Sequence, residues 1–372
     1  MSWPVVKLGD HIQILSGFAF NSKKFSKSEG VPLIRIRDVI RGFTETYYDG
    51  DFDDKYLINQ GDLLVGMDGQ FNAVRWGSCK ALLNQRVCKI EALEKLDERY
   101  LGHLLPNKLK EIEDKTAFVT VKHLSLKKIK EIEFPLPPID EQKRIADILD
   151  KADELKCNSE QSKLIRQSLI RSTFIDMFER EIENETHLPL EQICKIVDCP
   201  HSTPQYSDEP TGYYCVRSQD LTDEGELIFG KMLQVTRDTF EHRISRHMPK
   251  AGDVLFLREG SIGRCAIIPS GVEICLGQRI MILSPFQNII NPTFLHNLIL
   301  SDRFQHSLSR FKLGTTAGRV NIKDLRGLLI PTPELSKQIQ FGKIANSLNR
   351  VPYAGDVFSL LSKSSTQSLI SQ

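Results

Sequence analysis

The chain repeats itself, and no other feature of the sequence limits its fold as strongly. Pro4, Leu8 and Ile12 recur as Pro189, Ile193 and Val197. Arg35, Asp38 and Val39 recur as Arg217, Asp220 and Leu221. GDLLVGMDG at 61–69 recurs as GDVLFLREG at 252–260, and Asn84-Gln85-Arg86-Val87 as Gly277-Gln278-Arg279-Ile280. Thr120 followed by LKKIKEIEFPLP at 126–137 recurs as Thr316 followed by IKDLRGLLIPTP at 322–333. EQKRIADIL at 141–149 closes the first copy and KQIQFGKIA at 337–345 the second. Six blocks in one order, offset by roughly 185–200 residues, mark a tandem duplication of one structural unit.

Each copy reads as a globular head followed by a helix. The GD pairs predict turns feeding apolar strands, and the run before each proline cluster predicts another strand. Proline is tolerated in a first helical turn, so both clusters predict helix starts, with Thr332 expected as an N-cap. From about Ile139 to about Glu183 the chain has neither Pro nor Gly. Ile145, Ile148, Leu149, Ala152 and Leu155, then Leu164, Ile165, Leu169, Ile175 and Phe178, recur at helical spacing. Such a helix would run about 66 Å and needs a partner for its apolar stripe. Ile339, Ile344, Ala345, Leu348 and Val351 offer one. We therefore expect an α+β chain with a pseudo-twofold internal repeat. Its two mixed α/β heads are separated by long helices that pair as an antiparallel coiled coil through Ile145, Ile148, Leu149, Leu155, Leu169, Ile344 and Leu348. The expected boundaries are 1–136, 137–185, 186–332 and 333–372. Pro352 and Gly355 should bend the last helix.

Composition narrows the function. Lys plus Arg number 49 against 48 Asp plus Glu, a net charge of +1. A protein gripping DNA unaided is usually more basic, so any nucleic-acid role needs local basic patches or partner subunits. No apolar run is long enough to cross a membrane, and the N-terminus lacks a signal-peptide pattern, which suggests a cytoplasmic protein. The eight scattered cysteines read as reduced packing residues. Cys194, Cys199 and His201 lack a second ligand pair at zinc-finger spacing, so no metal is expected. Neither a glycine-rich cofactor loop nor an Asn-Pro-Pro-aromatic motif for a flipped adenine is present. Glu141 and Lys143 imitate a nuclease pair, but they fall in a first helical turn, where acidic residues suit the helix dipole. No catalytic residue and no cofactor is expected.

Head, helix, head, helix, with Thr120 … EIEFPLPPIDEQKRIADIL and then LGTTAGRVNIKDLRGLLIPTPELSKQI, resembles the specificity subunit of Type I restriction–modification enzymes across nearly the whole chain. The second copy departs from the family pattern in carrying Lys337-Gln338 for Glu-Gln. The resemblance implies that each head reads half of a split site in double-stranded DNA. Two methyltransferase subunits would methylate adenine in the half-sites, and restriction subunits would cleave. The other readings are the recognition part of a fused restriction–methylation enzyme and a protein-binding scaffold.

The repeat also sorts candidate contacts. Residues shared by both heads suit fold or phosphate contact, whereas residues that differ at matched loops suit base reading. Arg35 and Arg217 are shared, as a salt bridge within the head or a phosphate contact. Gln85-Arg86 and Gln278-Arg279 allow the same two readings, in expected strands. Differing loops offer Gln70, Asn72 and Arg75 against Arg258, Ser261 and Arg264, residue types that pair with adenine and guanine edges. Lys23 and Lys24 oppose His201. Thr120, Lys122, Thr316 and Arg319 are candidates for phosphate. Solvated loop residues are the plain alternative for all of these.

Overall fold

A computed structural model describes residues 3–115, 123–184, 186–200, 202–309 and 318–349. The chain forms two compact units, the first running to Ser159 and the second from Glu160. Internally they follow one plan. In the first, Val5–Lys7 pairs antiparallel with Glu133–Pro135, so the two ends of the head are tied together. Flanking bonds from Leu8 N to Ile132 O (2.8 Å) and from Leu136 N to Pro4 O (2.9 Å) extend the ribbon. In the second, His187–Pro189 pairs with Leu329–Pro331. Leu190 N then bonds Leu328 O (2.9 Å) and Thr332 N bonds Thr186 O (3.0 Å). A two-stranded ribbon tolerates Pro135 and Pro331 because each strand has a free edge.

The central sheet of the first head runs Ile12–Ser16, Val87–Ala92, Leu63–Gly66, Asn72–Arg75, all antiparallel. Its counterpart runs Cys194–Val197, Ile280–Pro285, Val254–Leu257, Cys265–Ile267. The GDLL and GDVL strands are the inner ones, buried on both faces, which is why they read as unbroken apolar runs. Gly61 and Gly252 adopt φ of +94° and +89° in the turns before them, a backbone that glycine adopts at little cost. A second sheet layer is built on a parallel pair in each head, Val31–Ile34 with Ala81–Leu83 and Tyr214–Val216 with Ile274–Leu276. Here the copies diverge: five strands in the first, three in the second.

One helix packs on the central sheet of the first head, Glu98–Lys115; in the second the equivalent is broken into Pro292–Leu300 and Asp302–Ser309. Each start is capped alike. Asp97 Oδ1 accepts from Arg99 N and Tyr100 N, both at 3.0 Å. Asn291 Oδ1 accepts from Thr293 N (2.9 Å) and Phe294 N (3.2 Å).

A buried glutamine then joins each of these caps to the next helix. Gln142 Oε1 accepts from Asp97 N (2.8 Å), and its Nε2 donates to Lys95 O (3.0 Å) and Pro137 O (2.8 Å). Gln338 Oε1 accepts from Asn291 N (2.8 Å), and its Nε2 donates to Ile289 O (3.3 Å) and Pro333 O (2.7 Å). Both side chains are wholly buried. The Glu-Gln and Lys-Gln steps thus share the half that matters. Glu141 instead faces Arg144, which accounts for the acid and draws its carboxyl below the usual range. Thr332 is not the expected N-cap: its hydroxyl donates to Thr186 O (2.8 Å), closing the ribbon.

The long helix spans Ile139–Asn184, 46 residues, close to the expected bounds. Its first turns belong to the first head, where Ile145 and Ala146 are buried and Leu149 packs beside them. Its last turns belong to the second head's core through Ile170, Phe174, Phe178 and Ile182. The C-terminal helix, Leu335–Asn349, joins that same core through Phe341 and Ala345. The contact between the two helices is aromatic, with Phe174 and Phe178 ring centroids 5.4 and 5.7 Å from Phe341. Of the residues expected to pair the helices, Ile145 and Leu149 pack in the first core and Leu348 beside the second. Ile344 is half-buried, and Ile148, Leu155 and Leu169 are exposed. Pro352, Gly355 and Val351 lie outside the described residues.

Two outcomes test this account. Gln142→Leu strands one N–H and two carbonyls at roughly 1–3 kcal/mol each, so urea unfolding should lose at least about 3 kcal/mol; a loss below about 1 kcal/mol would reject the pin. Phe178→Ala removes the ring shared by both helices and the second head, and should cost about 3–5 kcal/mol by the same measurement. A near-neutral result there would mean that the helices do not share a core.

Candidate nucleic-acid interface

Each head carries one apex built from three segments with matching backbone wiring. In the first, Met67 N bonds Arg86 O (2.9 Å) and Leu124 N bonds Met67 O (2.7 Å). In the second, Arg258 N bonds Arg279 O (3.1 Å) and Val320 N bonds Arg258 O (2.9 Å). The three segments are the loop after the inner strand, the Gln-Arg turn and the chain entering the ribbon. Gln85-Arg86 and Gln278-Arg279 are not in the strands that the sequence suggested. They form exposed turns between two strands.

The electrostatics of the apices also match. Asp68 sits between Arg86 and His123: Arg86 Nε is 3.4 Å from Asp68 Oδ2, and His123 Nδ1 is 2.6 Å from Oδ1. Arg86 also lies 3.5 Å from the His123 ring. In the second head Glu259 takes the place of Asp68. Arg319 Nε is 3.1 Å from Glu259 Oε1 and Arg279 Nε is 3.9 Å from Oε2. Asp68 bridges to His123 and Glu259 to Arg319 as isolated antiparallel pairs. Among the expected contacts Arg319 and Arg258 belong to this arrangement, Arg258 through its backbone and through Glu259 at 3.6 Å. Arg86 and Arg279, which the repeat offered as a salt bridge or a phosphate contact, join it, and Asp68, Glu259 and His123 are partners that the sequence did not single out.

The first head adds an aromatic face. Phe18 is tied to the turn, its N–H donating to Leu83 O (2.9 Å) while its carbonyl accepts from Gln85 N (2.8 Å). Its ring is half exposed. With Phe20, Phe52, Tyr56, Asp51, Asp53 and Lys55 it lines a cavity of about 410 Å³. An exposed aromatic ring beside a cationic turn is a surface on which a nucleobase can stack.

The other expected contacts divide by what already holds them. Lys23 and Lys24 are exposed on a short helical turn that follows Asn21, whose Oδ1 accepts from Lys23 N (3.1 Å). Gln70 and Ser261 are exposed at the loop tips. Asn72 is half-buried and folds back on its own hairpin, donating to Gln70 O (2.9 Å). Three of the arginines expected at base edges are engaged within their own heads. Arg258 is buried, 3.1 Å from Asp198 and 3.6 Å from Glu259. Arg75 donates to Gly61 O (3.1 Å) and Glu98 O (2.5 Å). Arg264 holds Asp223 Oδ2 at 2.8 Å. A guanidinium so engaged must give up a carboxylate or carbonyl before it can reach a base edge.

Arg217 forms the salt bridge expected of it, with Asp220 Oδ1 at 3.1 Å. For Arg35 the shared feature is instead the backbone: Arg35 N bonds Asp38 Oδ2 (2.9 Å) as Arg217 N bonds Asp220 Oδ2 (2.8 Å). Thr120, Lys122, His201 and Thr316 lie outside the described residues. Cys194 and Cys199 are buried, and burial pushes the Cys194 thiol up to about 12, a protonated state that is a poor metal ligand. No helix among the described residues is long and apolar enough to cross a membrane.

Comparison with known proteins agrees with this plan. The chain is 33% identical over 367 residues to the Type I restriction enzyme EcoBI specificity subunit of Escherichia coli, covering 91% of this chain and 77% of that one. It is 24% identical to the MjaVIII specificity subunit of Methanocaldococcus jannaschii, covering 94% and 86%. The crystal structure of a Type I restriction–modification S subunit from M. genitalium superposes with a TM-score of 0.62 at 15% identity, covering 100% of this chain and 95% of that one. That likeness shows a shared fold. The family described as the Type I restriction modification DNA specificity domain matches twice, over residues 1–167 and 184–350, one match to each copy of the repeat, and the chain belongs to that family.

Proposed function

We propose that this chain is the DNA-reading subunit of a Type I restriction–modification assembly, with one half of a split site read by each head. The observation that carries this reading is the matched apex. Two heads share one wiring and one acid–arginine cluster, yet present different residues at the loop tips, Gln70 in one and Ser261 in the other. Shared parts suit the duplex backbone, which is the same everywhere, and differing parts suit base edges, which are not. The proposed division is 1–136 and 186–332 for the heads, with 137–185 and 333–372 as helical spacers that set the gap between half-sites.

The reading assigns catalysis to partners. Two methyltransferase subunits would modify adenine in the half-sites and restriction subunits would cleave, while this chain supplies no catalytic group and needs no cofactor. A net charge of +1 suits such a division, because partner subunits then add to the contacts with the phosphates. Work on host DNA would place the assembly in the cytoplasm.

Co-expression with its methyltransferase subunit, followed by mapping of modified adenines, should return a split motif with a fixed spacer that vanishes when this chain is omitted. Methylation indifferent to the chain would end the proposal. In the same assay Gln70→Ala should relax one position of one half-site, by about 1–3 kcal/mol of discrimination, and leave the other half unchanged.

A further inference from the structure

Arg86 and Arg279 have φ of +71° and +70°, and they are the two non-glycine residues with positive φ among those described. Each follows a glutamine in the exposed turn of its own head. In the first head Val87 N closes the turn on Asn84 O at 3.3 Å, which puts Arg86 third of four. That position, with positive φ, is one where glycine costs least. The turn requires the positive φ but not an arginine, so an arginine held there in both copies carries strain that glycine would avoid, and such strain collects where a side chain has a task.

The surroundings indicate the task. Both side chains are more than half exposed, at 54% and 61%. Their nearest carboxylates, at 3.4 and 3.9 Å, make long, solvated ion pairs that orient a side chain without holding it firmly. Arginine has five N–H donors, so most remain for a second acceptor. Arg75, Arg258 and Arg264 are engaged with the framework, and Arg319, closer to Glu259 at 3.1 Å, has His123 and not an arginine at the matching place of the first head. The two turns are also alike where the loop tips beside them differ, so what they contact must be common to both half-sites.

We infer that Arg86 and Arg279 are matched phosphate clamps, one per head, that fix each head on the duplex backbone and read no base, with Asp68 and Glu259 holding them in aim. This rests on the DNA-reading assignment above. The strained turn presents a short, stiff base for the guanidinium, and an internal acid keeps it extended until phosphate oxygens displace that acid.

The test uses the chain assembled with its methyltransferase subunits and a pool of random-sequence 40-bp duplexes, with affinity measured by fluorescence anisotropy across a salt series. Arg86→Gly and Arg279→Gly relieve the strain and remove the charge together. Each should melt at or above the parental temperature, yet lower the slope of log affinity against log salt by about 0.9, and the double variant by about 1.8. Between about 50 and about 200 mM salt the gap between parent and single variant should therefore narrow about threefold. Arg86→Lys should keep the parental slope, because the charge remains. Unchanged slopes in the glycine variants, with the parent binding normally, would overturn the clamp and leave the DNA-reading assignment standing. A changed consensus among duplexes selected by Arg86→Gly would show base reading and also overturn it. A lower melting temperature with an unchanged slope would make the arginines structural. Failure of the parent to bind any duplex would overturn both this inference and the assignment beneath it.

Discussion

The fold turns on two buried glutamines. A helix that begins directly after Pro-Leu-Pro-Pro or Pro-Thr-Pro has no fixed direction of its own. Gln142 and Gln338 fix it by bonding the chain just before the head's packed helix, at Lys95 O with Asp97 N and at Ile289 O with Asn291 N. Both ends of each amide are used, with no water able to replace them at full burial. A buried amide left half-satisfied costs more than an apolar side chain would, so the geometry tolerates one arrangement. That is why the acid beside the first glutamine can become Lys337 in the second copy without loss: it points outward, and the amide beside it does the holding.

With helix, ribbon and packed helix locked together, the second sheet layer of each head is free to vary. The central sheets keep one order and register in both copies, while the second layer shrinks from five strands to three. The apex sits on the conserved part. Its three segments are joined by main-chain bonds, which do not depend on side-chain identity, so loop residues can change without moving the frame. Most cationic groups of the apices are balanced by an acid within the same head, Asp68 in one and Glu259 in the other. This local pairing is how a chain of net charge +1 still presents guanidinium groups to solvent.

Much of this was legible in the residues. The repeat, the inner strands, the glycine turns and the bounds of the long helix follow from patterns that have one physical solution: a period, a φ that favours glycine, a stretch without helix breakers. The coiled-coil stripe was harder to read. Ile145, Leu149, Ile170 and Phe178 fall on helical spacing whether they face another helix or a head, and spacing alone does not name the partner. In the structure Ile145 and Leu149 serve the core of the first head and Ile170 and Phe178 that of the second, where Phe178 also meets Phe341 of the C-terminal helix.

The site divides in the same way. The sequence by itself determined that there are two heads of one design, that Gln-Arg is common to both and that Gln70 and Ser261 are not. Only the tertiary structure decided which arginines are available, because a guanidinium looks the same in a sequence whether it faces water or an aspartate distant along the chain. Arg258 meets Asp198 and Arg264 meets Asp223 through folding, whereas Arg86 and Arg279 stand on turns whose left-handed backbone no local pattern announced. Patterns near in sequence fix backbone shape; the competition among distant charges for one another is settled only when the chain has closed.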